Sequence, residues 1–446
     1  MMPANKPSGR IKIMQRKRIL ILCGGVALTI LCLLPNAFGG GLEKVVSWSG
    51  RYAGVANAAV GNVAGAESLY FNPSGLAAGQ NADVSLNFSP TFARYSGPVT
   101  AAGTQLDSSR KFTPPFAVIA RYRLTDQLGV GIGAFASGGT KAIYEEVDFG
   151  FSALKPTVKA DLNIIEFSAG AGYEVLPRLR FGVAWRAVMV QATLGSALVL
   201  PNGGGLLTTV DISDLSATRY NGFRVGAQYG AEDNSWGLGV NWRTEVGFTA
   251  KGASAGSSQL TGSTAALAST GGDVTVSNAF PTQIAFGGFY QVNKGLKLFG
   301  EYDWSRYNVN QALRINGNVT LNPALGGATL PIPSIPQNWQ NMHNLKFGLE
   351  CTHVETWAFR AGYAFTSPVT PKSSARATFV APGAGHTLTL GAGKLIAANW
   401  NVDGAVEYSR ASATVTAGDI LAGAPTLAGD YKADVYVLHT GVSYRF

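Results

Sequence analysis

Beyond residue 40 the chain has no run of 18 apolar residues, yet apolar and polar residues alternate in segment after segment. The first fact excludes a membrane protein built of helices, which needs about 20 consecutive apolar residues per span. The second is the mark of strands buried on one face, because successive strand side chains point to opposite sides. In the last segment Tyr436, Leu438, Thr440, Val442, Tyr444 and Phe446 share one face, and His439, Gly441, Ser443 and Arg445 the other. Trp400, Val402, Val406 and Tyr408 oppose Asn401, Asp403, Glu407 and Ser409. Leu296, Leu298, Tyr302 and Trp304 oppose Lys297, Glu301, Asp303 and Ser305, while Trp236, Leu238, Val240 and Trp242 oppose Asn241, Arg243 and Glu245.

About fourteen such segments are present, near 83–95, 112–123, 127–137, 159–173, 178–193, 216–230, 234–250, 274–292, 295–307, 341–353, 356–366, 387–396, 399–410 and 434–446. Short connections (Thr125-Asp126, Glu174–Pro177, Ala231–Asn234, Asn293-Lys294, Val354-Glu355, Ala397-Ala398) alternate with long ones. A soluble sandwich has no reason for that rhythm, whereas an outer-membrane barrel has tight periplasmic turns and long outer loops. Trp236, Trp357 and Trp400 each follow a short turn on the apolar face, as an aromatic girdle at the inner interface would require. The fold expected is therefore all-β, a transmembrane antiparallel β-barrel of about 14 strands in the bacterial outer membrane. A barrel that wide encloses an open lumen unless something fills it. Residues 40–82 are rich in Gly and Ala and lack the alternation, which suits an N-terminal plug.

The formal charge of +9 invites a nucleic-acid reading, but six of the 35 Lys and Arg residues lie in the first 39 positions with no acid among them. The remainder carries 29 cations against 26 acids, a net +3 that gives nucleic-acid binding no support. Those basic residues precede the apolar run Ile19–Leu34 and the small-residue exit Asn36-Ala37-Phe38-Gly39, the pattern of a secretory signal peptide over residues 1–39. Cys23 and Cys32 would leave with it, and Cys351 alone forms neither a disulfide nor a multi-cysteine metal site. No cofactor is expected.

Several stretches carry a resemblance. Ala64–Leu76, containing Leu69-Tyr70-Phe71-Asn72-Pro73-Ser74-Gly75-Leu76, resembles the plug signature of the long-chain fatty-acid outer-membrane transporter (FadL-type) family, which includes aromatic-hydrocarbon channels. Ser74 replaces the usual alanine and Glu67 the usual aspartate. Ile335–Trp339 with Leu345–Glu350, Phe359–Phe365 with Ser367-Pro368-Val369, and His386–Glu407 resemble later segments of the same family. Two departures bear on charge: Ala381–His386 replaces an acidic-basic cluster, and Asn341 stands where aspartate is common. The resemblance implies passive uptake of hydrophobic molecules, most simply long-chain fatty acids, with capture by the outer loops, an internal pocket and sideways release through the wall. The same family implies a monomer, and Tyr444 and Phe446 resemble the signal read by the barrel-assembly machinery.

Candidate binding residues follow from the chemistry of the path. Leu198, Val199, Leu200, Leu206 and Leu207 make the segment Leu194–Leu207 apolar for an outer connection; such a patch either meets ligand or packs against its neighbours. The inward residues Arg121, Arg186, Arg243 and Arg360, with Glu245, Glu301 and Glu407, either meet a carboxylate or pair with one another in a ladder. Asn72-Pro73 reads as a rigid turn of the plug. Catalysis finds little support: His353 lies in a turn and His386 in a loop without a nucleophile motif, and His439 and Ser443 are four residues apart along a strand, about 13 Å. A diffusion porin for polar solutes is the remaining alternative, distinguished by an open lumen.

Overall fold

The computed structural model describes residues 46–79, 81–100, 103–150, 152–200, 205–421 and 426–446. The signal segment and residues 40–45 of the plug lie outside the described residues, as do the side chains of Leu198, Val199 and Leu200.

Fourteen strands form one closed antiparallel ring. They are β1 (Ala82–Phe88, continued by Thr91–Pro98), β2 (Lys111–Thr113, then Phe116–Arg123), β3 (Leu128–Tyr144), β4 (Val158–Leu176) and β5 (Leu179–Leu200). Next come β6 (Leu206–Gly230), β7 (Trp236–Arg243, then Val246–Leu260), β8 (Asp273–Phe280, then Gln283–Asn293) and β9 (Leu296–Ser305). The ring ends with β10 (Met342–Cys351), β11 (Trp357–Thr366), β12 (Gly385–Ala397), β13 (Trp400–Val415) and β14 (Gly429–Arg445). Each strand pairs with its sequence neighbours, and β1 pairs with β14 from Asp83↔Arg445 to Phe88↔Thr440, which closes the wall. Closure leaves no row of unpaired backbone groups facing lipid, which a bilayer would not tolerate.

The alternation decides which face is which. In the first half of β7, Trp236, Leu238, Val240 and Trp242 are exposed while Gly237, Gly239, Asn241 and Arg243 are buried. The same outward apolar set continues through Ile132, Phe167, Phe181, Phe286, Phe347, Val406 and Leu438, a continuous lipid-facing belt. Trp236, Trp357 and Trp400 all face outward at the short-turn end, Trp236 against Tyr229 and Trp400 against Tyr444. The girdle expected from their placement is present.

The sequence reading needs correction at three places. Within Leu194–Leu207, read above as a connection, Leu194–Leu200 and Leu206–Leu207 are strand: β5 runs to Leu200 and β6 from Leu206, paired through Leu200↔Leu206. Strands of 22 and 25 residues are about twice what a tilted span requires, so this hairpin continues beyond the membrane. Leu206 and Leu207 are consequently buried strand residues rather than an exposed patch. Glu245 is exposed and sits in the break between the two halves of β7, so it does not join the inward charges. His386 belongs to β12, where its Nδ1 lies 2.5 Å from the Tyr363 hydroxyl.

Residues 46–79 fill the periplasmic half of the lumen with short turns and one helical turn, α1 (Ser68–Phe71). They fit because the inward positions of the surrounding strands are often glycine. A Cβ at Gly129 would collide with the carbonyl oxygen of Leu76, and one at Gly226 with Asn72 Oδ1. Much of the high glycine count of the sequence is thus room for the plug.

Candidate translocation pathway

From the outside inward, the lumen is first apolar. Ile164, Val188, Val190, Val210, Ile212, Leu215, Val246, Phe248, Val276 and Phe280 point inward from β4 to β8. The long segment between β9 and β10 folds into the same space, adding Tyr307, Leu313, Val319, Ile332 and Trp339. Phe248 stacks on Phe280 at 5.1 Å, and Tyr307 meets Trp339 edge-on at 5.6 Å. A polar pore would not be lined in this way.

Below this cluster lies a small cavity of about 60 Å³ lined by Tyr70, Phe71, Asn241, Arg243, Met342 and Lys346, among others. Met342 belongs to both the apolar cluster and the cavity wall, so the two are continuous. The surrounding charges are buried and organised around carboxylates. Glu166 on β4 lies 2.8 Å from Arg186 on β5 and 3.1 Å from Arg224 on β6, and Arg243 is within its electrostatic reach. Lys346 on β10 lies 2.8 Å from Glu301 on β9 and is also paired with Asp303, at 2.5 Å. Four cations face three carboxylates, so the set carries one excess positive charge. Charges in such a place are tolerated only when paired and hydrogen-bonded.

The plug forms the floor. Its aromatic residues Trp48 and Tyr70 pack with Phe135 of β3, and Phe71 packs with both of them, with ring centroids 5.0–5.9 Å apart. Phe135 immediately precedes a bulge in β3, where the pairing with β4 shifts between Ala136 and Gly138. Side-chain bonds hold the plug on all sides. Glu67 accepts from Ser49 at 2.6 Å, Ser85 at 2.7 Å and Asn87 at 3.1 Å. Glu301 accepts from the backbone of Ala59 and Val60, each at 2.8 Å. Asn72 donates through Nδ2 to the carbonyls of Val60, Ala227 and Val240, while its Oδ1 accepts from Ser74. Pro73 then opens a short 3₁₀ turn. Asn72, read with Pro73 from the sequence as a turn, caps that 3₁₀ turn.

Residues 43–446 match the family described as outer membrane protein transport protein (OMPP1/FadL/TodX). The chain belongs to that family. It is accordingly a bacterial outer-membrane β-barrel of a family that transports hydrophobic substrates. The outer membrane protein NMB0088 of Neisseria meningitidis serogroup B is similar, 23% identical over 395 residues that cover 79% of this chain and 81% of that one. The fold is that of the Pseudomonas putida toluene transporter TodX (TM-score 0.73, 15% identity, 90% of this chain and 98% of that chain). It is also that of a Pseudomonas aeruginosa FadL homologue (TM-score 0.69, 15% identity, 91% and 99%). The Ralstonia pickettii toluene transporter TbuX is similar too (TM-score 0.66, 20% identity, 90% and 99%).

Within this family barrel the sequence-selected arginines divide. Arg121 pairs with Asp83 at 3.1 Å and donates to the carbonyl of Ala78, which latches the end of the plug. Arg360 lies between Glu350 at 2.7 Å and Asp403 at 2.6 Å. Both are ladder residues. Arg186 and Arg243 belong to the charged layer beneath the apolar cluster, and Arg243 lines its cavity. Sequence reasoning missed Glu166, Arg224 and Lys346, and it put Asp303 on the polar face of its strand without a role. Each is a charged residue at an inward position of an alternating strand, a pattern that marks the charge but not its partners.

Proposed function

We propose that the chain carries long-chain fatty acids passively across the outer membrane. The observation that carries this reading is the continuity, through Met342, of an apolar cluster with a charged layer holding one excess cation. A fatty acid has the complementary form: its chain would lie among Val188, Val210, Phe248 and Trp339, its carboxylate against Arg243 and Lys346. Charge-assisted bonds to a carboxylate are strong when water is excluded. Capture begins at the outer end of the β5–β6 hairpin, whose sequence carries Leu198, Val199 and Leu200 beside the buried Leu206 and Leu207. Release follows a shift of the plug, and the β3 bulge beside Phe135 supplies a sideways exit into the bilayer.

Aromatic hydrocarbons are the second reading. It is favoured by the fold shared with toluene transporters and by the aromatic pairs Phe248–Phe280 and Tyr307–Trp339. Before it works, the chain loses residues 1–39 on export, and Phe446 at the end of β14 is read by the barrel-assembly machinery. The barrel then acts as a monomer, without cofactor or catalytic residue.

Uptake of radiolabelled oleate by intact Gram-negative cells lacking their own transporter tests the proposal. Expression of the chain raises uptake well above the empty vector, and Arg243→Gln lowers it. Uptake at the vector level would overturn the reading, and toluene uptake alone would establish the second.

A further inference from the structure

At the periplasmic end a second cavity, of about 320 Å³, opens between the plug and the short turns. Its charged lining consists of Arg51 from the plug, Arg178 and Arg180 from the start of β5, and Lys297 from β9. No carboxylate lines it. Arg180 is held by Glu174 at 2.7 Å, and Arg178 donates to the carbonyl of Glu232. Arg51 and Lys297 differ from these. Arg51 lies over the ring of Tyr52 at 5.3 Å and Lys297 over that of Phe289 at 4.4 Å, and neither has a carboxylate within ion-pair distance among the described residues. Lys297 feels the repulsion of both Arg51 and Arg178.

Three neighbouring acids attract Arg51, and each is already engaged elsewhere. Glu350, which attracts both Arg51 and Lys297, is bonded to Arg360 at 2.7 Å. Glu67 and Asp403 border an adjoining cavity that shares Arg51, Tyr52, Ala64 and Gly79 with this one; there Glu67 accepts three side-chain hydrogen bonds and Asp403 pairs with Arg360. Cations brought together without acids are a recognition site for a compact anion. The volume exceeds what one carboxylate fills. Tyr229 and Trp236 of the inner girdle form its outer border.

We propose that this cavity binds a phosphate group, supplied either by an anionic phospholipid of the inner leaflet or by free phosphate. Its lining shares no residue with the cavity beneath the apolar cluster. Occupied, it would neutralise the plug-facing cations Arg51 and Lys297 and hold the plug against the short turns.

The full-length barrel, refolded in a neutral detergent, is mixed with dioleoyl phosphatidylglycerol or with dioleoylglycerol, which lacks the phosphate. Retained lipid is counted by native mass spectrometry. In parallel, line broadening of inorganic phosphate is followed by ³¹P NMR. The double variant R51Q/K297Q is compared with Arg94→Gln on the outer side, and heat-modifiability on gels reports folding; Lys297→Met alone serves if the double variant does not fold. Retention of phosphatidylglycerol but not dioleoylglycerol, reduced about fivefold or more in the variant, identifies a lipid headgroup. Broadening of phosphate that the variant abolishes, without lipid retention, identifies free phosphate. If neither probe separates the variant from the parent protein, the site does not exist.

Discussion

Glu166 shows how much a single inward side chain can organise. It holds Arg186 and Arg224 across three strands, is fully buried, and also accepts from Ser168 at 2.9 Å. Glu166→Gln would leave two buried guanidinium groups short of a counter-charge, a loss of about 3–5 kcal/mol. A lowered urea midpoint for the folded barrel in micelles checks it, and an unchanged midpoint would refute the central place given to this residue. His439 is a comparable case. Its Nδ1 lies 2.9 Å from Ser89 Oγ and its Nε2 2.9 Å from Glu407, while Ser89 donates to the carbonyl of Trp48 in the plug. Sequence spacing placed His439 inward and rejected Ser443 as its partner. It could not reveal Ser89, which the chain brings across only when β1 closes on β14. Inward charges could thus be read from alternation alone, whereas their partners depend on strand register, which no local pattern encodes.

The strands were readable because one face must meet lipid and the other must not, and that requirement writes a period of two into every span. Their outer ends were not. β5 and β6 continue past the membrane, where lipid no longer enforces the pattern, and so Leu194–Leu207 resembled a connection. The plug was recognisable through its lack of alternation, but its seat was hidden in the glycines of the wall. Gly226 and Asn72 make the point: valine at 226 cannot coexist with the observed position of Asn72. Gly226→Val therefore dislodges the plug while leaving the ring intact, seen as raised ion conductance in planar bilayers with normal heat-modifiability. Deleting residues 40–78 has a larger effect in the same direction. If the intact protein already conducts like a general porin, the plugged lumen is disproved.

Taken whole, the molecule stacks three layers along its axis: an apolar cluster fed by long outer segments, a charged layer across the middle, and a plug fastened at the periplasmic end. Lipid sees only the outward belt and its tryptophan girdle. The plug and the inward apolar cluster occupy the described lumen where an open porin would hold water. Displacement of a fluorescent fatty acid from the purified, refolded barrel tests this arrangement most directly, with oleate and toluene as competitors. The account predicts displacement by oleate at micromolar concentration, weakened about tenfold by Arg243→Gln because the carboxylate loses a charged partner. Competition by toluene alone would contradict the assignment of fatty acids, and the absence of saturable probe binding would contradict an internal hydrophobic site altogether.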